Sequence, residues 1–251
     1  MSHDVILETR ELRKEYRGLV ALDSVSLKVR RGTIHALIGP NGAGKTTCFQ
    51  LLTRFISPTR GSILYKGKDI TQQDPASVAR MGIARSFQIS SIFPNATVKE
   101  NLRLALQTRR GDNFDFYRSG KVLSTYDDEA AQLAESVALE SMMQARASEL
   151  SYGRRRALEL ATTLALDPQL LLLDEPTSGM GHEDVERITA LIRKAAVNRT
   201  VLIVEHNLKM VESLSDRVTV LARGAVLAEG DYATVAADRR VMEAYIGDLH
   251  D

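Results

Sequence analysis

The alternation of hydrophobic and polar positions predicts β-strands in the first third of the chain. Apolar residues fill positions 5–7, and Val25, Leu27 and Val29 alternate with polar residues in SVSLKV at 24–29. A further segment of this kind, GSILYKGKDI at 61–70, follows a turn at Pro58. Such alternation is typical of strands that are buried on one face only. We therefore expect half-buried strands of antiparallel type here.

A different pattern begins at 33–39. The sequence TIHALIG is continuously apolar, which is typical of a strand buried on both faces, and it leads directly into a glycine-rich turn. The next segment, KTTCFQLLTRF at 45–55, has apolar residues at helical spacing. Strand, glycine-rich loop and helix together predict one α/β unit.

The remaining chain contains a helical block followed by more α/β structure. Residues 98–166 are mostly helical in pattern, interrupted at 109–121 by RRGDNFDFYRSGK, which we interpret as an exposed loop. The predicted order after this block is a strand at 169–176, a helix at 182–195, a strand at 200–206, a helix from Asn207 and a hairpin at 216–230. No repeat or linker divides the chain, so we predict a single α/β domain.

Composition narrows the classes of function. The 251 residues carry a net charge of +1, which gives no global field that would favour nucleic acid. The single cysteine, Cys48, excludes an internal disulfide and a multi-cysteine metal site. No apolar run approaches the roughly 20 residues that cross a bilayer, and the first residues do not resemble a signal peptide. We expect a soluble, cytoplasmic chain whose membrane part, if it has one, is another subunit.

The strongest chemical motif is GPNGAGKTT. It fits G-x-x-x-x-G-K-[ST] and lies between a predicted strand and a predicted helix, as a phosphate-binding loop requires. Glycines let backbone N–H groups approach phosphate oxygens, Lys45 neutralises the β- and γ-phosphates, and the Thr46 hydroxyl reaches Mg²⁺. The predicted nucleotide-binding residues of the loop are Gly39, Pro40, Asn41, Gly42, Ala43, Gly44, Lys45, Thr46 and Thr47.

A second motif, LLLLDEP, places two acids at the carboxyl end of a buried strand. Ligands of open α/β sheets bind at that edge. In P-loop NTPases an acid on this strand holds Mg²⁺, and the neighbouring carboxylate can polarise the attacking water. We assign Asp174 to Mg²⁺ and Glu175 to the water.

Three further residues have two interpretations each. His206 follows another buried strand and either contacts the γ-phosphate and attacking water or is a hydrogen-bonded structural residue. Gln88 either has a functional role or is simply an amide after a short apolar run, which is a commonplace feature. Tyr16 either stacks on an adenine or packs in a sheet.

The segment LSYGR at 150–154 opens a predicted helix with Ser151 and Gly153. It is either the capped start of a surface helix or a phosphate site, because a helix N-terminus attracts anions. The local sequence leaves both interpretations open.

Taken in order, Tyr16, the 39–47 loop, Gln88, LSYGR, LLLLDEP and EHN resemble the motif series of ATP-binding cassette (ABC) ATPases over nearly the whole chain. The resemblance implies a P-loop NTPase core of ABC type, with an antiparallel β subdomain, in 1–88 and 167–251, and a helical subdomain with the signature in 89–166. It implies that Tyr16 stacks on adenine, that Gln88 links Mg²⁺ and water to the transporter interface, and that His206 is the switch histidine.

By the same resemblance, Ser151 and Gly153 belong to the signature, which covers the nucleotide of a second ATPase subunit. Tyr152 and Arg154 depart from the usual Leu-Ser-Gly-Gly-Gln, and the loop after Ser178 has Gly179 and Gly181 in the region where the family usually has an Asp. Those glycines either have a catalytic role or form a simple turn before the next helix.

Within the family, 82–102 and the ending VMEAYIGD resemble the ATPase subunits of branched-chain amino-acid importers. This implies an ATP- and Mg²⁺-dependent ATPase at the cytoplasmic face of the inner membrane. Its expected partners are a second ATPase subunit, identical or paralogous, two permease subunits and, indirectly, an extracytoplasmic solute-binding protein. The apolar turn of Ile89, Ile92, Phe93 and Pro94 is either core or a docking site for a permease helix. The alternative function is a soluble ABC ATPase that acts on nucleic acid or ribosomes.

Overall fold

The computed structural model describes residues 4–86, 92–110 and 124–247. Contacts divide the chain into two units. The first contains the chain up to Ile83, Gln169–Glu175 and everything from Ala196 onward; the second contains Ala84–Pro168 and Pro176–Ala195. Among the residues described, no helix has both the length and the apolar composition needed to span a bilayer.

Eleven strands, nine α-helices and three short 3-10 helices occur in the described ranges. The strands are β1 (Val5–Tyr16), β2 (Leu19–Val25), β3 (Lys28–Arg30), β4 (Ile34–Ile38), β5 (Arg60–Tyr65), β6 (Lys68–Asp69), β7 (Ile83–Ser86), β8 (Leu170–Asp174), β9 (Thr200–Val204), β10 (Arg217–Ala222) and β11 (Ala225–Gly230). The helices are α1 (Lys45–Leu52), α2 (Pro75–Arg80), α3 (Val98–Arg110), α4 (Asp127–Ser136), α5 (Tyr152–Leu164), α6 (His182–Ala195), α7 (Leu208–Leu214), α8 (Tyr232–Ala236) and α9 (Arg239–Gly247).

The first unit contains the antiparallel sheet predicted for the beginning of the chain. Its order is β2-β1-β5-β6, and β3 also pairs with β1. The predicted strands are wrong in detail: β1 runs from Val5 to Tyr16, well past the predicted 5–7, and the predicted strand at 24–29 is divided between β2 and β3. Shifts of register at Leu12/Lys14 and Arg10/Arg13 interrupt the two-residue period. The simple alternation that marks a strand is therefore lost in β1.

The larger sheet of the first unit has the order β11-β10-β4-β9-β8, and β7 begins next to β8, where the Gly82 carbonyl accepts from the N–H groups of Gln169 and Leu170. Strands β10, β4, β9 and β8 are parallel, and β11 is antiparallel to β10. Every residue of β4 and β9 is buried, as the continuous apolar runs predicted. The α/β fold class with an antiparallel subdomain is confirmed, and it brings the carboxyl ends of β4, β9 and β8 to one edge.

The second unit is mainly helical. Helix α3 packs against α4 and α5, and α5 packs against α6. Helix α3 continues through Arg110, two residues into the predicted loop, whose remainder at 111–121 lies outside the described residues. The predicted boundaries assigned 167–195 to the core, whereas by its contacts the stretch Pro176–Ala195 groups with the helical unit, because α6 packs on α5.

Candidate active site

The loop between β4 and α1 can be built only with glycine at two positions. Gly39 has a φ of 151°, and a Cβ atom there would lie 2.1 Å from the Leu221 carbonyl oxygen. Gly44 has a φ of 99°, and its Cβ would lie 2.7 Å from the Ala21 carbonyl oxygen. Left-handed backbone and close approach of a neighbouring strand both require the missing side chain. The tight turn leaves α1 without a side-chain cap, so its first N–H groups are available to an anion.

Lys45 is the first residue of α1, and its side chain folds back along the loop. The side chain is buried, and Nζ donates to the carbonyl oxygens of Gly39 at 2.6 Å and Pro40 at 2.9 Å. These bonds hold a positive charge beside the backbone N–H groups of the same loop. An ammonium group in this place suits a polyphosphate.

A cavity of about 310 Å³ lies over this loop. Its wall combines the glycine-rich loop, the first residues of β2 and the acid that follows β8. The lining residues are Leu19, Val20, Ala21, Asn41, Gly42, Ala43, Gly44, Lys45, Thr46, Thr47 and Glu175. An apolar wall beside a cationic, N–H-rich loop fits a ligand with a flat apolar part and a phosphate chain. The cavity therefore unites the predicted loop with the predicted catalytic acid.

Glu175 reaches this cavity through an unusual backbone conformation. Asp174 ends β8 opposite Val204 of β9, and the Glu175 N–H donates to the Val204 carbonyl oxygen at 2.9 Å. The φ of Glu175 is 46°, in the left-handed region that residues other than glycine rarely adopt. Strain of this kind persists where the surrounding structure enforces it, which is common at active sites. Strand β8 ends at Asp174, immediately before this left-handed residue.

His206 is exposed, two residues beyond the end of β9. It follows Glu205, which is fully buried and accepts from the N–H groups of His206 at 2.9 Å and Asn207 at 3.0 Å. Asn207 in turn caps α7 by accepting from Met210 N–H. Because β9 lies between β4 and β8, His206 emerges at the edge where Gly39 and Asp174 also lie. Sequence reasoning missed Glu205, although an acid that ends an all-apolar strand is a visible signal.

Tyr16 has features of both predicted interpretations. It is opposite Leu19 in the β1–β2 pair, and the residue is 41% exposed. The Lys14 ammonium lies 4.8 Å from the ring centroid, a cation–π contact. The residue is thus a sheet residue whose ring remains accessible, and its pairing partner Leu19 lines the cavity.

Ser151 and Gly153 lie in the second unit, at the start of α5. Ser151 is the N-cap, and its hydroxyl accepts from Arg154 N–H at 3.5 Å. Gly153 is buried, and a Cβ there would lie 2.3 Å from Oδ1 of Asp184. A carboxylate of the same chain therefore occupies the space beside Gly153. This supplies a packing reason for the glycine that the local sequence did not show.

The turn after the predicted Gln88 region is held by another residue that sequence reasoning missed. Gln88 and Ile89 lie outside the described residues. Asn101 is buried; its Oδ1 accepts from Phe93 N–H at 2.7 Å, and its Nδ2 donates to the Phe93 carbonyl oxygen at 3.1 Å. Ile92 is buried as a core residue, whereas Phe93 is 58% exposed. One buried amide thus fixes the turn that presents Phe93.

Comparison with known proteins agrees with this geometry. The family description "ABC transporter" matches residues 22–178, well over half of the chain. The chain belongs to the ABC transporter family. A second description, "Branched-chain amino acid ATP-binding cassette transporter", matches residues 225–251. Family membership makes the protein an ATP-binding ATPase, as the motif series predicted.

Relatives of this ABC ATPase resemble it along almost their whole length. BraF of Pseudomonas aeruginosa, a high-affinity branched-chain amino acid transport ATP-binding protein, is 37% identical over 97% of this chain and 98% of its own. LivG of Archaeoglobus fulgidus, a probable branched-chain amino acid transport ATP-binding protein, is 36% identical over 96% of this chain and 95% of its own.

Solved structures of ABC cassettes share its fold. An ATP-binding cassette of an ABC transporter in its ADP conformation has a TM-score of 0.83 at 30% identity, over 97% of this chain and 99% of that one. A nucleotide-free cassette has a TM-score of 0.81, also at 30% identity and with the same coverage.

Proposed function

We propose that this ABC ATPase powers the import of a small solute, most simply a branched-chain or other hydrophobic amino acid or a related polar compound, through separate membrane subunits. The cavity that unites the 39–47 loop with Glu175 carries the hydrolytic part of the proposal. The solute class is supported by the match at 225–251 and by the names of BraF and LivG.

The phosphate chain of ATP fits the loop. The N–H groups at the start of α1 and the Lys45 ammonium bind the β- and γ-phosphates, and Glu175 polarises the attacking water. His206, held by Glu205 at its backbone, contacts the γ-phosphate or the water. Tyr16, with its accessible ring, stacks on the adenine.

Mg²⁺ is the expected metal, and the donor set fits it. The Thr46 hydroxyl and the Asp174 carboxylate would supply hard oxygen ligands, which Mg²⁺ prefers together with water and substrate phosphates. The amide of Gln88, which lies outside the described residues, is the third proposed ligand. When bound, the ion neutralises charge on the phosphates. Within the described ranges no group of three His, Cys, Asp or Glu residues forms a metal cluster, and Mg²⁺ held through one or two protein groups and phosphates needs none.

A second ATPase subunit, identical or paralogous, completes the proposed site. Ser151 and Gly153 of one subunit would cover the nucleotide held by the 39–47 loop of the other. The capped, positively polarised start of α5 suits this contact. The extracytoplasmic solute-binding protein acts through the membrane subunits and does not contact this chain.

We further propose that a permease helix docks on the helical unit at a cleft of about 210 Å³. The cleft is lined by Arg85, Phe93, Asn101, Leu104, Ala105, Thr108, Thr162, Thr163 and Leu166. Phe93 is 58% exposed and Leu166 is 38% exposed, so the cleft has solvent-exposed apolar side chains in its lining. A short apolar helix of a membrane subunit fits this surface and would place the protein, as a peripheral subunit, at the cytoplasmic face of the inner membrane.

Tagged protein purified gently from native membranes tests this proposal. We expect the wild-type chain to retain two polytopic membrane proteins and a second ATPase, and Phe93→Ser to lose both membrane proteins. Phe55→Ser is the matched control, because Phe55 is 59% exposed and lies in the first unit. Retention of membrane proteins by Phe93→Ser would refute the docking site. Recovery of ribosomes or nucleic acid instead would refute the importer and favour the alternative function.

The transported solute is tested by uptake. Cells that lack this chain should lose uptake of radiolabelled leucine, and the wild-type gene should restore it, whereas Glu175→Gln should not. Normal leucine uptake in cells without the chain would refute the branched-chain assignment and leave the ATPase unaffected.

A further inference from the structure

Tyr152 replaces a small residue in the signature, and its side chain makes a specific contact within the second unit. The hydroxyl donates to the carbonyl oxygen of Ser178 at 2.9 Å. Ser178 lies in the loop of residues 176–181, three positions after Glu175 in the chain. The Tyr152 oxygen also lies 3.7 Å from the place where a Cβ on Gly179 would be, so the ring end rests against this loop.

The Tyr152 hydroxyl also accepts hydrogen bonds from Arg156. Arg156, one turn later on α5, donates to the Tyr152 hydroxyl from Nη2 at 3.0 Å and from Nε at 3.3 Å, and its guanidinium lies 5.4 Å from the ring centroid. The same guanidinium pairs with Glu159, whose side chain is buried, at 3.0 Å. A cation that donates to the hydroxyl polarises it and strengthens its bond to the carbonyl. The buried carboxylate of Glu159 therefore holds Arg156, which in turn donates to the Tyr152 hydroxyl.

The neighbouring residue Gly153 makes a second contact beyond the loop. The Asp184 carboxylate packs into the space beside Gly153, with Oδ1 2.3 Å from the position of a Cβ. Asp184 is in the first turn of α6. Two consecutive residues of α5 therefore contact the chain after β8 at two points, Tyr152 at Ser178 in the loop and Gly153 at Asp184 in the first turn of α6.

We propose that Tyr152 is a positioning residue for ATP hydrolysis, which fixes the 176–181 loop to the start of α5 through the Ser178 carbonyl. The loop continues the chain directly from Glu175, whose backbone is in the left-handed region. A loop free to rotate at Ser178 would let this strained turn relax and would lower the fraction of molecules with Glu175 in a productive position. The Tyr152 hydroxyl is bonded to Ser178 and Arg156, and its proposed action is through the loop.

The test compares Tyr152→Phe with wild type by hydrogen exchange and by steady-state ATP hydrolysis, on the purified full-length chain together with the second ATPase subunit that co-purifies with it. Removing one hydroxyl from a half-exposed ring leaves the packing intact. We expect the amides of 177–181 to exchange about fivefold faster, as for loss of one net hydrogen bond. We expect kcat to fall by about the same factor with the KM for ATP within about twofold, because phosphate binding is untouched.

Tyr232→Phe is the matched control. Tyr232 lies in α8 of the first unit, and in the described part of the chain its hydroxyl makes no hydrogen bond. It should leave exchange and kcat at wild-type values. Arg156→Lys keeps a cation near Glu159 but loses the planar guanidinium that donates to both Glu159 and Tyr152. It should therefore lower kcat as a single substitution and have no further effect when it is combined with Tyr152→Phe.

Unchanged exchange at 177–181 in Tyr152→Phe, or a kcat within about twofold of wild type, would overturn the proposal. A parallel fall in melting temperature, ATP affinity and kcat would also overturn it, since it would show a purely structural role. The proposal rests on hydrolysis at Glu175 and not on the solute, so a failed leucine-uptake assay does not bear on it. If Glu175→Gln hydrolyses ATP at the wild-type rate, the assigned role of Glu175 fails, and the exchange measurement still decides whether Tyr152 holds the loop.

Discussion

His35 makes the stability of the central strand depend on pH. It lies in β4, the strand that leads into Gly39, and is fully buried. Its Nε2 is 2.8 Å from Thr219 Oγ1, and that hydroxyl donates to Glu229, which pairs with Arg217. Burial is the main reason that the pKa of His35 is lowered to about 4 from 6.5; Glu229 opposes and Arg217 assists the shift.

The direction in which the unfolding free energy changes with pH follows from the lowered pKa of His35. The folded protein binds this proton less readily than the unfolded chain, so His35 costs nothing above pH 6.5 and destabilises the fold progressively as the pH falls from 6.5 towards 4. The full pKa difference, at about 1.4 kcal/mol per pH unit, corresponds to about 3 kcal/mol. Between pH 7 and pH 5 the expected loss of unfolding free energy from this one group is about 2 kcal/mol.

Urea unfolding of wild type and His35→Gln at pH 7 and pH 5 measures this contribution. Glutamine can keep a hydrogen bond to Thr219 but does not titrate, so the variant should lose about 2 kcal/mol less than wild type over this range. His182→Gln controls for the loss of an exposed imidazole, because 78% of that side chain is exposed. The same pH dependence in wild type and His35→Gln would refute the reasoning.

Two further predictions concern the active site, and a third concerns the buried cysteine of α1. Gly39→Ala should abolish ATP binding in equilibrium dialysis, because its Cβ would lie 2.1 Å from the Leu221 carbonyl oxygen; wild-type affinity would contradict the assigned loop geometry. Glu175→Gln should bind Mg-ATP normally and lower kcat by about 100-fold or more in a phosphate-release assay, since only water activation is lost, and a wild-type kcat would exclude this role. Cys48 is fully buried, which raises the pKa of its thiol to about 12, so a thiol reagent at pH 8 should react only after urea is added; rapid labelling of the folded chain would contradict its burial.

The sequence by itself determined the chemistry and the fold class. The motif GPNGAGKTT and the acids after LLLLDEP could be recognised because each joins adjacent residues whose spacing the chemistry dictates. Continuous apolar strands such as 34–38 and 200–204 were equally visible, because burial on both faces leaves no polar position. Roles for Gln88, His206 and the signature residues follow from family resemblance and stay predictions.

Only the tertiary structure decided features that depend on residues distant in the chain. The length of β1 was hidden because bulges interrupt its alternation. Gly153 could not be explained locally, since the carboxylate that requires it belongs to Asp184, thirty-one positions away. The link from Tyr152 to Ser178 likewise joins α5 to a loop that follows a different strand. Local spacing predicts which groups can act, whereas packing between separate segments decides what holds them in place.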